Sequence, residues 1–131
     1  MTATLNREAI AEGANPLGLE GIEFIEYATS RPQALGQVLE NMGFRPVARH
    51  RSREVTLYRQ GSMNLVVNAR PDDARVSGTV DGQPAISAVA FRVQDALKAH
   101  TRCLDLGAWN VDSHAQAMEL HIPAIHGPGG S

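Results

Sequence analysis

The spacing of apolar residues changes several times along the chain, and each change marks an element. The run at 22–27, "IEFIEY", is β-prone and opens after Gly18 and Gly21, which predicts a strand. Ser30 then reads as an N-cap, with Gln33 three positions on completing a capping box and Pro32 in the first turn. Leu35, Val38, Leu39 and Met42 follow at the i, i+3, i+4, i+7 spacing of one buried helical stripe. Gly43 stands where a helix needs a left-handed C′ residue, which glycine adopts without a Cβ penalty. Three short β-prone runs come next, at 44–48, 55–59 and 63–68, with "QGSM" as the turn between the last two. The unit is βαβββ.

The same rhythm returns in the second half of the chain, at one constant offset and without a gap. "GIEFIEYATSRPQALGQVLENMGFRPVARH" lies over "AISAVAFRVQDALKAHTRCLDLGAWNVDSH", so that Ile22 falls on Ile86, Tyr27 on Phe91, Met42 on Leu106, Gly43 on Gly107 and His50 on His114. Few residues are identical, but the apolar positions and the helix-ending glycine coincide, which points to two copies of one supersecondary unit. In the second copy 85–93 reads as a strand and Asp95 as an N-cap. Ala96, Ala99, Cys103 and Leu106 form the helical stripe, and 109–111 and 118–125 read as strands. A fourth strand equivalent to 63–68 would occupy about 127–133, so the second module is expected to lack its last strand within this chain. The predicted organisation is a flexible tail at 1–16 and one domain at 17–131. That domain comprises module one at 21–70, a linker at 71–84 and a truncated module two at 85–131. The fold class is α+β.

Composition narrows the functional classes. With 131 residues the chain is the size of one domain, and 43% hydrophobic and 20% charged residues are ordinary for a globular protein. A formal charge of −2 argues against a dedicated nucleic-acid binder. One cysteine, Cys103, excludes an internal disulfide framework and suits a reducing, cytoplasmic compartment. No apolar run approaches the roughly 18 residues that would span a bilayer, so no membrane partner is expected.

The segments "GIEFIEYA", "GFRPVARHRSREVTLYRQGSMNLVVNA", "AVAFRVQDA" and "MELHIPAIHGPGGS" resemble the N-terminal domain of bacterial 4-hydroxyphenylpyruvate dioxygenases, from about Leu17 to Ser131. That family belongs to the vicinal oxygen chelate (glyoxalase, bleomycin-resistance and extradiol dioxygenase) superfamily, whose domains pair βαβββ modules. The resemblance implies a longer enzyme whose C-terminal domain binds Fe(II) through two His and one Glu. Such an enzyme converts 4-hydroxyphenylpyruvate and O2 to homogentisate and CO2 in tyrosine breakdown. It implies that this N-terminal domain is a structural and assembly partner without metal, in a homo-oligomer. Metal-binding copies carry His third in each module's opening strand. Those places are Phe24 and Ala88 here, and the closing strand that would carry the Glu of the second copy is the one expected to be missing. The resemblance therefore assigns no catalytic, cofactor-binding or metal residue to this chain. 4-Hydroxymandelate synthases and dehydroshikimate dehydratase fusions carry similar domains, and the residues that distinguish them lie outside it. The alternative is a stand-alone small-molecule-binding or structural module of the same fold.

The remaining residue groups have weaker claims to chemistry. His114, His121 and His126 do not have a recognised ligand spacing and read as surface or half-buried histidines. Glu23 and Glu26, three apart on one strand, are expected on opposite faces and so form no acid–base pair. Arg45, Arg49, His50, Arg51, Arg53 and Arg59 read as the solvated face of a hairpin. "HGPGGS" lacks the helix and Lys that a phosphate loop needs. Cys103 reads as a structural thiol, and Trp109 as a core or interface residue.

Overall fold

The computed structural model describes residues 13–69, 83–112 and 122–128. Its elements are β1 (Leu19–Ala28), α1 (Pro32–Asn41), β2 (Arg45–Arg49), β3 (Val55–Gln60), β4 (Met63–Asn68), β5 (Ala85–Val93) and α2 (Ala96–Asp105). The strands form one sheet in the order β2-β3-β4-β1-β5. β1 runs parallel to β4, and every other neighbouring pair is antiparallel. The first copy is thus a complete βαβββ unit, and β5 joins it along β1.

The duplication is written into the hydrogen bonds. Ile25 pairs with Val89, its own equivalent in the repeat, while Phe24 pairs with Ala90 and Glu26 with Ala88. Two antiparallel strands whose equivalent residues face one another are related by a local two-fold axis, here through the Ile25–Val89 rung. Both helices also stop in the same way. Phe44 N–H donates to Leu39 and Gly43 N–H to Glu40, and Ala108 N–H and Gly107 N–H donate to Cys103 and Leu104 in the second copy. This is a Schellman motif in each case, and it requires the positive φ found at Gly43 (100°) and Gly107 (98°).

The helix starts differ. Asp95 caps α2 as expected, its carboxylate accepting from Lys98 N–H at 3.0 Å. At α1 the expected Ser30 cap does not form. The N-cap position is Arg31, without a side-chain cap bond, because Pro32 opens the helix and leaves Ser30 one position outside it. Thr29 Oγ1 instead accepts from Arg31 N–H at 3.0 Å. Upstream, Asn15 brackets the entry to β1, accepting from Leu19 N–H and donating to Leu19 O.

The core lies between α1 and the first copy's strands: Leu39, Phe44 and Val67, with Leu35, Tyr58 and Leu65 packed against them. The apolar stripe of α1 is only partly inward. Gly36 and Leu39 are buried, whereas Val38 and Met42 remain 53% and 62% exposed. The helix is turned so that Gly36 meets Tyr58 of β3. No residue of α2 is buried; Ala99 and Cys103 are half-buried, and Leu106 is exposed. The strand expected at 109–111 is a single bridge, Asn110 to Ile125, flanked by Val111 N–H to Ala124 O and His126 N–H to Trp109 O. Residues 118–121, 129–131 and most of the linker lie outside the described residues; of the strand expected at about 127–133 only 127 and 128 are described, and neither is in a strand.

Candidate functional site

α1 packs on β4, and the two-fold relation places α2 on the same side of the sheet, against β5. The opposite face carries no helix among the described residues. Alternation from the core residues Leu65 and Val67 puts Asn64, Val66 and Asn68 on this open face. The register then adds Arg59, Leu57 and Val55 from β3, Glu26 from β1 and Ala88 from β5.

Two polar rows cross this face. In one, Glu26 bridges three strands. Its Oε1 accepts from Asn68 Nδ2 at 3.2 Å and its Oε2 from the Ser87 hydroxyl at 2.9 Å. Asn68 and Ser87 are buried, so the carboxylate satisfies groups that water reaches poorly. In the other row Arg59 Nε donates to Asn64 Oδ1 at 2.8 Å, and Asn64 Nδ2 donates to Glu23 O at 3.3 Å. Glu23 accepts from Arg92 Nε at 2.6 Å on β5. Phe24, Ala88 and Ala90 lie between the rows at the β1–β5 seam.

Phe24 and Ala88, equivalent positions of the two copies, become diagonal neighbours across the two-fold axis on this one face. Their side chains contain no nitrogen, oxygen or sulfur. The carboxylate nearest in register, Glu26 opposite Ala88, has both oxygens engaged. This donor set does not fit Fe(II), which is held in such sites by two imidazoles and a carboxylate with open positions.

The other sequence candidates separate in space. Glu23 and Glu26 belong to different networks and form no pair. Arg45 and Arg59 face each other across β2 and β3 on the open side, while Arg49 pairs with Thr56, on the helix side. Arg51 and Arg53 lie in the loop between the strands, where His50 Nδ1 accepts from Ser52 N–H and Arg53 N–H at 3.2 Å each. His126 is exposed at the Asn110–Ile125 bridge, and His114 and His121 lie outside the described residues. Cys103 is half-buried and Trp109 is 77% exposed. Sequence reasoning missed the Glu26–Asn68–Ser87 group. Its members come from three separate strands, and only the alternation within β1 hinted that Glu26 faces away from the helices.

Comparison with known proteins gives the same picture at the level of families. The family model "Hydroxyphenylpyruvate dioxygenase, HPPD, N-terminal" matches residues 14–131. A 4-hydroxyphenylpyruvate dioxygenase of Pseudomonas sp. (strain P.J. 874) is 45% identical over 117 residues, covering 89% of this chain and 33% of the relative. Among solved structures, a xylose isomerase-like TIM barrel/4-hydroxyphenylpyruvate dioxygenase fusion protein matches with a TM-score of 0.71 and 32% identity, over 86% of this chain and 18% of that one. A methylmalonyl-CoA epimerase from Mycobacterium tuberculosis, at TM-score 0.56 and 18% identity over 81% of this chain, shares the vicinal oxygen chelate type of fold alone. The chain spans about a third of the length of the curated dioxygenases it matches. A βαβββ unit whose opening strand and helix recur in β5 and α2, and a family match along almost its whole length, make this chain a member of the N-terminal domain family of hydroxyphenylpyruvate dioxygenases.

Proposed function

We propose that this chain is the non-metal-binding N-terminal domain of a 4-hydroxyphenylpyruvate dioxygenase-like enzyme. In this reading it holds no catalytic centre and serves as structural partner to a C-terminal domain that carries Fe(II), within a cytoplasmic homo-oligomer of the tyrosine breakdown pathway. The observation that carries the reading is the pair Phe24 and Ala88. The fold brings the two family ligand positions together on the open face, and both hold hydrocarbon side chains. Iron bound in that other domain would supply the oxygen chemistry, and the residues here would act as its structural support. No described helix is long and apolar enough to cross a membrane.

The test is expression from the complete locus, followed by intact mass, iron content and O2 consumption with 4-hydroxyphenylpyruvate. A product about three times this length, holding about one iron per chain and releasing homogentisate, supports the reading. Residues 1–131 alone are expected to bind no stoichiometric iron and to turn over no substrate. A locus product ending near Ser131 and lacking iron overturns the enzyme reading in favour of a free-standing binding or structural module.

A further inference from the structure

The hairpin β2–β3 sets Arg45 and Arg59 directly opposite each other on the open face. Like charges at such a cross-strand position destabilise the pair of strands, and both residues are exposed. Among the described residues the Arg45 guanidinium has no ion-pair or hydrogen-bond partner. Arg59 is anchored through Nε to Asn64, which is itself held on the backbone of β1, and among the described residues its two terminal amino groups have no acceptor. A held guanidinium beside a second one presents parallel N–H groups of the kind that grip carboxylates two at a time. The neighbouring rungs inward are apolar: Leu57 and Val66, then Phe24, all half-buried. An apolar centre with arginines at its rim is the anatomy of a protein-docking surface.

We infer that the Arg45–Arg59 corner of the open face receives acidic side chains from the remainder of a longer polypeptide, which covers this face of the sheet. The inference rests on the reading of the chain as one domain of a larger enzyme. A small free anion is the weaker match, because two exposed arginines bind little from water until something covers them. Nucleic acid fits less well, since the sheet splits the arginines between its two sides and leaves no continuous basic stripe. Charge complementarity and the two-thirds of each dioxygenase relative that this chain does not span favour a carboxylate-bearing protein surface.

The experiment uses the full-length locus product with Arg45→Lys or Arg59→Lys, treated with a water-soluble carbodiimide and digested for mass spectrometry. This reagent joins an amine to a carboxylate, with loss of water to the carbodiimide, only where the two are in contact. The expected result is a cross-link from position 45 or 59 to an Asp or Glu outside residues 1–131, in the same chain or another subunit. Arg102→Lys, exposed on α2, serves as the background control. Cross-links confined to residues 1–131, or no signal above that control, overturn the inference. A long, iron-loaded and active product that shows no such cross-link removes this docking surface alone, whereas a locus product ending near Ser131 removes the parent reading.

Discussion

Gly36 shows how much one absent methyl group can carry. Helix propensity favours alanine over glycine by about 1 kcal/mol in a helix interior. At this position, however, a Cβ would overlap the Tyr58 hydroxyl, and Tyr58 is packed against the Leu39–Phe44–Val67 core, which resists its displacement. Overpacking of this kind costs about 1–3 kcal/mol, so the steric term wins. Gly36→Ala is expected to lower the urea midpoint of unfolding. Tyr58→Phe removes the clashing oxygen, and the double variant should recover most of the loss; a purely additive pair would show that the hydroxyl is not the obstacle. Glu26 makes the converse point. Glu26→Ala takes an acceptor from two buried donors, Asn68 Nδ2 and Ser87 Oγ, at an expected cost of about 1–3 kcal/mol. Glu26→Gln retains one acceptor oxygen and should cost less in the same denaturation series.

At the scale of elements, the two helices separate a local signal that the structure uses from one that it does not. Asp95 caps α2, so Asp95→Ala should cost about 0.5–2 kcal/mol. Ser30 has equal cap propensity but lies one position too early, and Ser30→Ala should stay within about 0.5 kcal/mol. Thermal melts of the two variants would rank them, and a larger loss for Ser30→Ala would contradict the observed cap. These helices also show what was legible in the sequence. Periodicity, helix-ending glycines and the internal repeat located β1 to β5 and both helices, because each is a local pattern with a local cause. The orientation of α1 was not legible. It depends on Gly36 admitting Tyr58, a contact between a helix and the second strand after it that propensity does not encode. For the same reason Phe24 and Ala88 could be named from the family resemblance, whereas Glu26, Asn68 and Ser87 became a group only when the strand register was known.

For the molecule as a whole, the sheet's two outer strands are unlike. β2 carries Pro46, a register irregularity between Pro46 and Ala48, and arginines at both ends, devices that discourage another strand from pairing there. β5 has no proline, and its one charged residue, Arg92, is engaged by Glu23 on β1. Among the described residues β5 pairs only with β1, and it exposes Ile86, Val89 and Phe91. Hydrogen exchange on residues 1–131 should therefore find β4 and β1, each paired on both sides, better protected than β5. The β5 amides that do not bond to β1 should exchange much faster. In the full-length product those same amides should slow. Equal exchange of β5 in both samples would mean that nothing further joins this edge.

The pairing of β1 also sets a timetable. Ile25 takes one neighbour, Leu65, from the end of the first copy and the other, Val89, from the start of the second. A ribosome adding about 5–20 residues per second delivers that second neighbour roughly 3–13 seconds after Ile25 itself. The first strand synthesised is thus the last to be enclosed. For that interval its apolar residues are available to any exposed strand nearby, which makes the nascent chain, more than the finished domain, the form in which a ribosome-associated holdase would find most to bind.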